Sequence, residues 1–125
     1  MEPNFLVVDD SVTMRRIVTN SLKALGYTQY IEAADGKEAL EKLNANAGVN
    51  FVITDWNMPV LSGLELTKAI RSHPEKSNLP ILMVTTRGVK EDILQALQAR
   101  VSNYVVKPFT PKILKEKIDA ILATV

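Results

Sequence analysis

The chain has 125 residues, 46% hydrophobic and 23% charged, a composition that suits one globular domain over residues 1–125 and excludes a disordered or fibrous chain. Its formal net charge of +1 supplies no field for nucleic acid or an anionic membrane, and no apolar run approaches the ~20 residues needed to cross a bilayer. Cysteine is absent, which excludes disulfides and thiolate metal sites; with a polar start that is unlike a signal peptide, it points to the cytoplasm.

Five short apolar runs punctuate the chain. The first, Phe5–Val8, precedes a helical stretch in which Met14, Ile17, Val18, Leu22 and Leu25 recur at three- and four-residue spacing. Ser11 or Thr13 can cap that helix, and Gly26 sits just past its end. The second run, Tyr30–Ala33, carries Glu32 and suits an edge or near-edge strand. A helix from about Gly36 to Leu43 follows, turning Ala39, Leu40 and Leu43 inward. The third run, Phe51–Thr54, leads to a helix that opens near Ser62 and Gly63. That helix carries Leu64, Leu66, Ala69 and Ile70 until Pro74 stops it. After the fourth run, Ile81–Val84, comes a helix over about Lys90 to Ala99 with Ile93, Leu94 and Leu97 as its apolar positions. The fifth run, Asn103–Val106, precedes a helix from Thr110 to about Leu122. Pro111 suits its first turn, and Ile113 or Leu114, Ile118, Ile121 and Leu122 face inward.

Four of the runs are nearly continuous Val- and Ile-rich segments, as strands covered on both faces are. Strand and helix alternate five times, which predicts an α/β fold with right-handed crossovers and one parallel sheet. In such sheets ligands bind beyond the carboxyl ends of the strands. The residues at those ends are Asp9 and Asp10, Asp55, Thr85 and Thr86, and Lys107 with Pro108. Three carboxylates in one small space need a cation or a raised pKa to coexist. An all-oxygen set without histidine or cysteine favours a hard cation such as Mg²⁺, which leaves a carboxylate free to act as a nucleophile. Taken singly, each residue also has a plain structural role. Asp9 and Asp10 could be the acidic start of a helix, Asp55 a turn aspartate and Thr85 a β-branched strand end. Lys107 could be a solvated loop lysine and Tyr104 a core or edge ring.

The set Val8-Asp9-Asp10-Ser11 with Met14-Arg15-Arg16, then Thr54-Asp55-Trp56-Asn57-Met58-Pro59, Gly63-Leu64-Glu65-Leu66, Met83-Val84-Thr85 and Tyr104-Val105-Val106-Lys107-Pro108-Phe109 runs through nearly the whole chain. In that order and spacing it resembles the response-regulator receiver family, and within it the chemotaxis regulators of CheY type. The resemblance implies a flavodoxin-like (βα)5 fold with strand order 2-1-3-4-5, an order that periodicity alone does not provide. It implies that Asp55 accepts a phosphoryl group from a histidine kinase of CheA type. Asp9, Asp10, Asp55 and the backbone carbonyl of Asn57 would hold Mg²⁺. Thr85 and Lys107 would bond to the phosphoryl oxygens, with the Lys107–Pro108 peptide bond cis. Tyr104 would be the switch ring, and Lys90, Ile93 and Lys117 would join it on the partner face. Slow self-dephosphorylation, with a phosphatase as a further partner, and signalling to the flagellar motor switch or another protein complete the expectation. Turnover of an external substrate is not implied, nor is binding to nucleic acid or membrane. A monomer is expected, because no exposed apolar stripe stands out.

Several positions depart from the family pattern. Arg87, two beyond Thr85, replaces a small or acidic residue, and Ser62 replaces an aspartate but can still cap a helix. Ala99–Asn103 replaces a glycine- and alanine-rich stretch; Arg100 is its largest change, and Asn103 can take a left-handed conformation. Pro111 and Lys112 make the start of the last helix distinctive. Two other classes share some of these ingredients. A haloacid-dehalogenase-type phosphatase would carry its nucleophile in a DxD after the first strand, usually with a cap insertion. A flavodoxin-type flavin carrier would carry a Ser/Thr/Gly-rich cradle there.

Overall fold

The computed structural model describes residues 2–124. The elements are β1 (Phe5–Val8), α1 (Val12–Ala24), β2 (Tyr30–Ala33), α2 (Gly36–Ala45), β3 (Phe51–Thr54), α3 (Gly63–Ser72), β4 (Ile81–Thr85), α4 (Lys90–Gln98), β5 (Asn103–Val106) and α5 (Pro111–Leu122). One parallel sheet holds all five strands in the order β2-β1-β3-β4-β5. This is the flavodoxin-like arrangement, with Glu32 on the edge strand β2.

Side chains alternate across each strand, so every strand feeds two cores. Phe5, Val7, Phe51, Ile53, Leu82, Val84 and Val105 meet Val18 and Leu22 of α1 and Leu114, Ile118 and Ile121 of α5. Leu6, Val8, Val52, Ile81, Met83 and Tyr104 meet Ala39 and Leu43 of α2, Leu64, Leu66 and Ile70 of α3, and Ala96 of α4. Burial on both faces explains why β1, β3 and β4 read as unbroken apolar runs.

Local caps fix where the helices start. Ser11, not Thr13, caps α1, its Oγ accepting from the Met14 N–H at 3.2 Å. Asp35 caps α2 and Thr110 caps α5, where Pro111 fills the first turn. Ser62 and Glu65 form a reciprocal capping box on α3, so serine serves where the family's aspartate is missing.

The structure corrects some expectations drawn from the sequence and adds detail to others. Asn103 lies in β5, and the left-handed residue of this stretch is Arg100, with φ +71°, because α4 ends there and its chain must reverse. Of the α4 apolar positions, Leu94 and Leu97 are exposed, while the small Ala96 sits against the sheet. These two leucines with Val89 put apolar surface on α4, contrary to the expectation of no exposed stripe. Ile17 of α1 and Ile113 of α5 are also exposed; Leu114 takes the inward position. Ile17 borders a cleft with Met14, Thr86, Lys107, Pro108 and Phe109. Among the described residues no helix is long and apolar enough to cross a membrane.

Candidate functional site

β1 has β2 on one side and β3 on the other, so the chain leaves β1 and β3 in opposite directions across the sheet. The crevice opens at the carboxyl ends of these two strands. The ladder continues into that crevice and aims its residues. The Asp55 N–H donates to the Val8 carbonyl at 3.0 Å, and the Asp9 N–H donates to the Ala33 carbonyl at 3.1 Å. The Lys107 N–H donates to the Thr85 carbonyl at 2.8 Å.

Asp9, Asp10 and Asp55 each offer a carboxylate oxygen, and these oxygens lie within 4.8 Å of one another. Asp9 is buried, Asp55 half-buried and Asp10 exposed. Lys107 reaches in from β5, its Nζ 3.0 Å from Asp9 Oδ2 and 3.5 Å from Asp55 Oδ2. Its side chain is only 8% exposed, which leaves it no solvated alternative among the described residues. The Lys107–Pro108 peptide bond is cis. The other oxygens of Asp9 and Asp55 also have partners. Asp9 Oδ1 accepts from the Ser11 N–H at 2.9 Å, and Asp55 Oδ1 accepts from the Trp56 N–H at 2.7 Å.

Burial pushes the Asp55 carboxyl above its ordinary value, opposed by Lys107 and reinforced by the charge on Asp9. Even with an ammonium beside it, this site is short of positive charge. An additional cation would relieve it, and an all-oxygen donor set suits a hard one.

Asn57 stands two residues past Asp55 in the loop after β3 and is exposed. Its side-chain oxygen accepts two N–H groups of Arg87, at 2.8 and 3.2 Å. Thr85 ends β4, between β3 and β5, fully buried, with its Oγ1 accepting from the Arg87 N–H at 3.3 Å. Tyr104 in β5 is buried and donates its hydroxyl to the Arg87 carbonyl. Burial, then the nearby Asp92 charge, pushes the Tyr104 phenol up to about 12. The unfolded chain would ionise it near 10.0. The neutral ring therefore supports the fold below that value, and this support is lost as pH climbs toward about 12. An alkaline titration followed at the phenolate absorbance should find Tyr104 ionising together with unfolding; ionisation at an ordinary value in a folded chain would contradict this.

Lys90 is exposed at the start of α4, Ile93 packs half-buried against the core beside it, and Lys117 lies half-buried on α5. The structure brings Asp9, Asp10, Asp55 and Lys107 into one cluster; Thr85 joins it through its carbonyl, which accepts the Lys107 N–H, and Lys90, Ile93 and Lys117 are not among its members. Sequence reasoning named Arg15 and Arg87 but not their contacts, and it missed Asp92. Arg15 of α1 bonds the Asp9 carbonyl at 2.6 Å and Glu32 at 3.2 Å, tying the loop after β1 to the edge strand. Asp92 faces Arg87 at 3.9 Å, and Arg87 lies 4.5 Å from the Trp56 ring centre. Glu32 lies 17 residues from Arg15 and Asn57 lies 30 residues from Arg87, and no local pattern announces these pairs.

Comparison with known proteins gives consistent results. The response regulator receiver domain family matches residues 5–119. Chemotaxis protein CheY1 of Helicobacter pylori (strain ATCC 700392 / 26695) is 55% identical over 119 residues, covering 95% of this chain and 96% of that protein. A chemotaxis protein CheY homolog of Campylobacter jejuni (serotype O:2) is 52% identical over 95% of this chain and 92% of that protein. Among solved structures, chemotaxis protein CheY4 of Vibrio cholerae superposes with a TM-score of 0.87 at 36% identity, covering 97% of this chain and 99% of that one.

Proposed function

The chain belongs to the response regulator receiver domain family, and on that premise we propose that it is a cytoplasmic, phosphoryl-accepting switch of chemotaxis signalling, with residues 1–125 forming one receiver domain. The observation that carries this reading is the buried ammonium of Lys107 set between Asp9 and Asp55 at the sheet edge. An amine placed so deeply among carboxylates is arranged to meet further negative charge.

In the proposed reaction an Asp55 carboxylate oxygen attacks the phosphorus of a phosphohistidine on a CheA-type kinase. The P–O bond to Asp55 forms as the P–N bond breaks, and the electron pair leaves with the imidazole. Lys107 turns from the carboxylates toward the phosphoryl oxygens and offsets their charge. Asp9, Asp10, Asp55 and the Asn57 carbonyl would hold Mg²⁺, which would supply the rest of the positive charge when bound. Asp9 is oriented by Lys107 and the Ser11 N–H. Thr85 hydrogen-bonds the phosphoryl group, and the changed positions of Thr85 and Tyr104 alter the face that includes Lys90, Ile93 and Lys117. That face would bind the output partner, the flagellar motor switch being the candidate that the family resemblance implies, while a phosphatase would shorten the signal. Hydrolysis of the acyl phosphate by water, with Asp55 regenerated, resets the chain.

Trp56 is the chain's single tryptophan and touches Asp55 through its backbone N–H, so its emission reports this site alone. Mixing the chain with a phosphorylated CheA-type kinase domain should change Trp56 emission as label moves from kinase to chain. Chelation of Mg²⁺ by EDTA should abolish both effects. Transfer that proceeds undiminished in EDTA would defeat the metal assignment.

A further inference from the structure

Arg87 makes more connections around the site than any role assigned to it requires. Its guanidinium donates two N–H groups to Asn57 Oδ1, lies 4.5 Å from the Trp56 ring centre and faces Asp92 at 3.9 Å. Its main chain donates to Thr85 Oγ1 and accepts the Tyr104 hydroxyl. One residue thus links the loop after β3, the end of β4, the first turn of α4 and the ring of Tyr104.

The turn between β4 and α4 has little else to hold it. Thr86, Gly88 and Val89 are exposed. Val89 stands at the α4 N-cap without a side-chain cap bond. α4 itself buries only Ala96 completely. A turn with so few anchors moves unless a side chain ties it to a rigid neighbour, and Trp56, itself 5% exposed, is such a neighbour. The planar guanidinium suits this task, because it can stack on the indole while its edge donates to Asn57.

We infer that Arg87 is a positioning residue whose side chain, clasped by Trp56, Asn57 and Asp92, fixes the β4–α4 turn and so holds Tyr104 in its buried pose before any phosphoryl group arrives. The link to Tyr104 is the Arg87 carbonyl. If the turn relaxes, that acceptor leaves, and the buried hydroxyl would lose the one protein partner it has among the described residues. A buried donor without a partner is costly, so the ring turns toward water. In this chain the switch ring is therefore preset inward. The inference concerns the unphosphorylated chain, so its failure would leave the assignment of Asp55 as phosphoryl acceptor untouched.

The chain has three tyrosines, which makes the test compact. Tyr27 packs edge-on against Phe5, and Tyr30 lies beneath Lys23, so both report on the fold far from Arg87. With all three replaced by 3-fluorotyrosine, ¹⁹F NMR of the phosphate-free chain resolves each ring. Arg87→Ala should move the Tyr104 resonance toward that of the free amino acid. Its H₂O/D₂O isotope shift should rise to that of an exposed ring, with Tyr27 and Tyr30 unmoved. A Tyr104 signal unchanged in both properties would overturn the inference. If Arg87→Ala loses the Tyr27 and Tyr30 signals by unfolding, Arg87→Lys decides: it keeps the charge without the fork and the stack. It should then move Tyr104 in the same direction, and an unmoved Tyr104 there would equally overturn the inference.

Discussion

Asp55→Asn is expected to reduce phosphoryl uptake from any donor to background while leaving the chain folded. The amide keeps the shape, and its oxygen can still accept the Trp56 N–H that Asp55 Oδ1 accepts at 2.7 Å. What it loses is the anionic oxygen that attacks phosphorus. The same substitution has a second, opposite consequence for stability. Burial and Asp9 together push the Asp55 carboxyl up, and Lys107 does not fully offset them. An unfolded carboxyl ionises near 3.8, so Asp55 favours the folded state below that value, and this contribution is lost as pH rises through its raised folded value. In metal-free buffer at neutral pH, Asp55→Asn should therefore melt at a higher temperature than the native chain, with the gap closing toward acid. A lower melting temperature at neutral pH would mean that Lys107 binds the Asp55 carboxylate more strongly than burial penalises it.

The largest loss of stability should come from Gly63→Ala. A Cβ built on Gly63 would sit 1.9 Å from the Asp55 carbonyl oxygen, 2.8 Å from its carbon and 3.0 Å from the Trp56 Cα. All three are backbone atoms, with no flexible side chain to give way. The Gly63 N–H also donates to the Trp56 carbonyl at 2.9 Å, so α3 starts pressed against the turn that carries the acceptor. Overpacking in a core costs about 1–3 kcal/mol, and a collision between two backbones belongs at or above the top of that range. For a domain of this size about 3 kcal/mol lowers the melting temperature by roughly 10 °C. Thermal unfolding of the variant is the check, and a midpoint within a degree or two of the native one would show that α3 can retreat freely. Because the displaced backbone is that of Asp55, the variant should also accept phosphoryl groups more slowly than its remaining folded fraction explains.

Much of the fold is legible in the sequence because its signals are local. The apolar runs locate the strands to within a residue, β4 being longer by Thr85. Capping residues such as Ser11, Ser62 and Thr110 sit where the helices begin. The strand order is not local and came from resemblance alone, as did the roles of Thr85 and Tyr104. Family membership now takes the place of the phosphatase and flavin-carrier readings that the strand-end residues left open. Where the reading failed, packing outweighed pattern. Leu94 and Leu97 have the spacing of a buried face, yet α4 rests on the sheet through Ala96. Asn103 has the intrinsic tolerance for a left-handed backbone, but the reversal after α4 falls at Arg100 and leaves Asn103 in the strand. The acidic cluster was visible because each of its members follows an apolar run. The clasp of Arg87 was not, since Asn57 lies thirty residues away and long arginine side chains give no sign of where they reach.

The most direct test of the central claim is intact and peptide mass spectrometry after acetyl phosphate is added, with and without Mg²⁺. The account predicts a labile phosphoryl adduct, located on Asp55, that forms only when Mg²⁺ is present and is missing from Asp55→Asn. A stable adduct on any other residue would contradict it. So would the absence of an adduct both from acetyl phosphate and from a phosphorylated histidine kinase, since the buried lysine and the carboxylates of Asp9 and Asp55 would then serve the fold and not phosphoryl transfer.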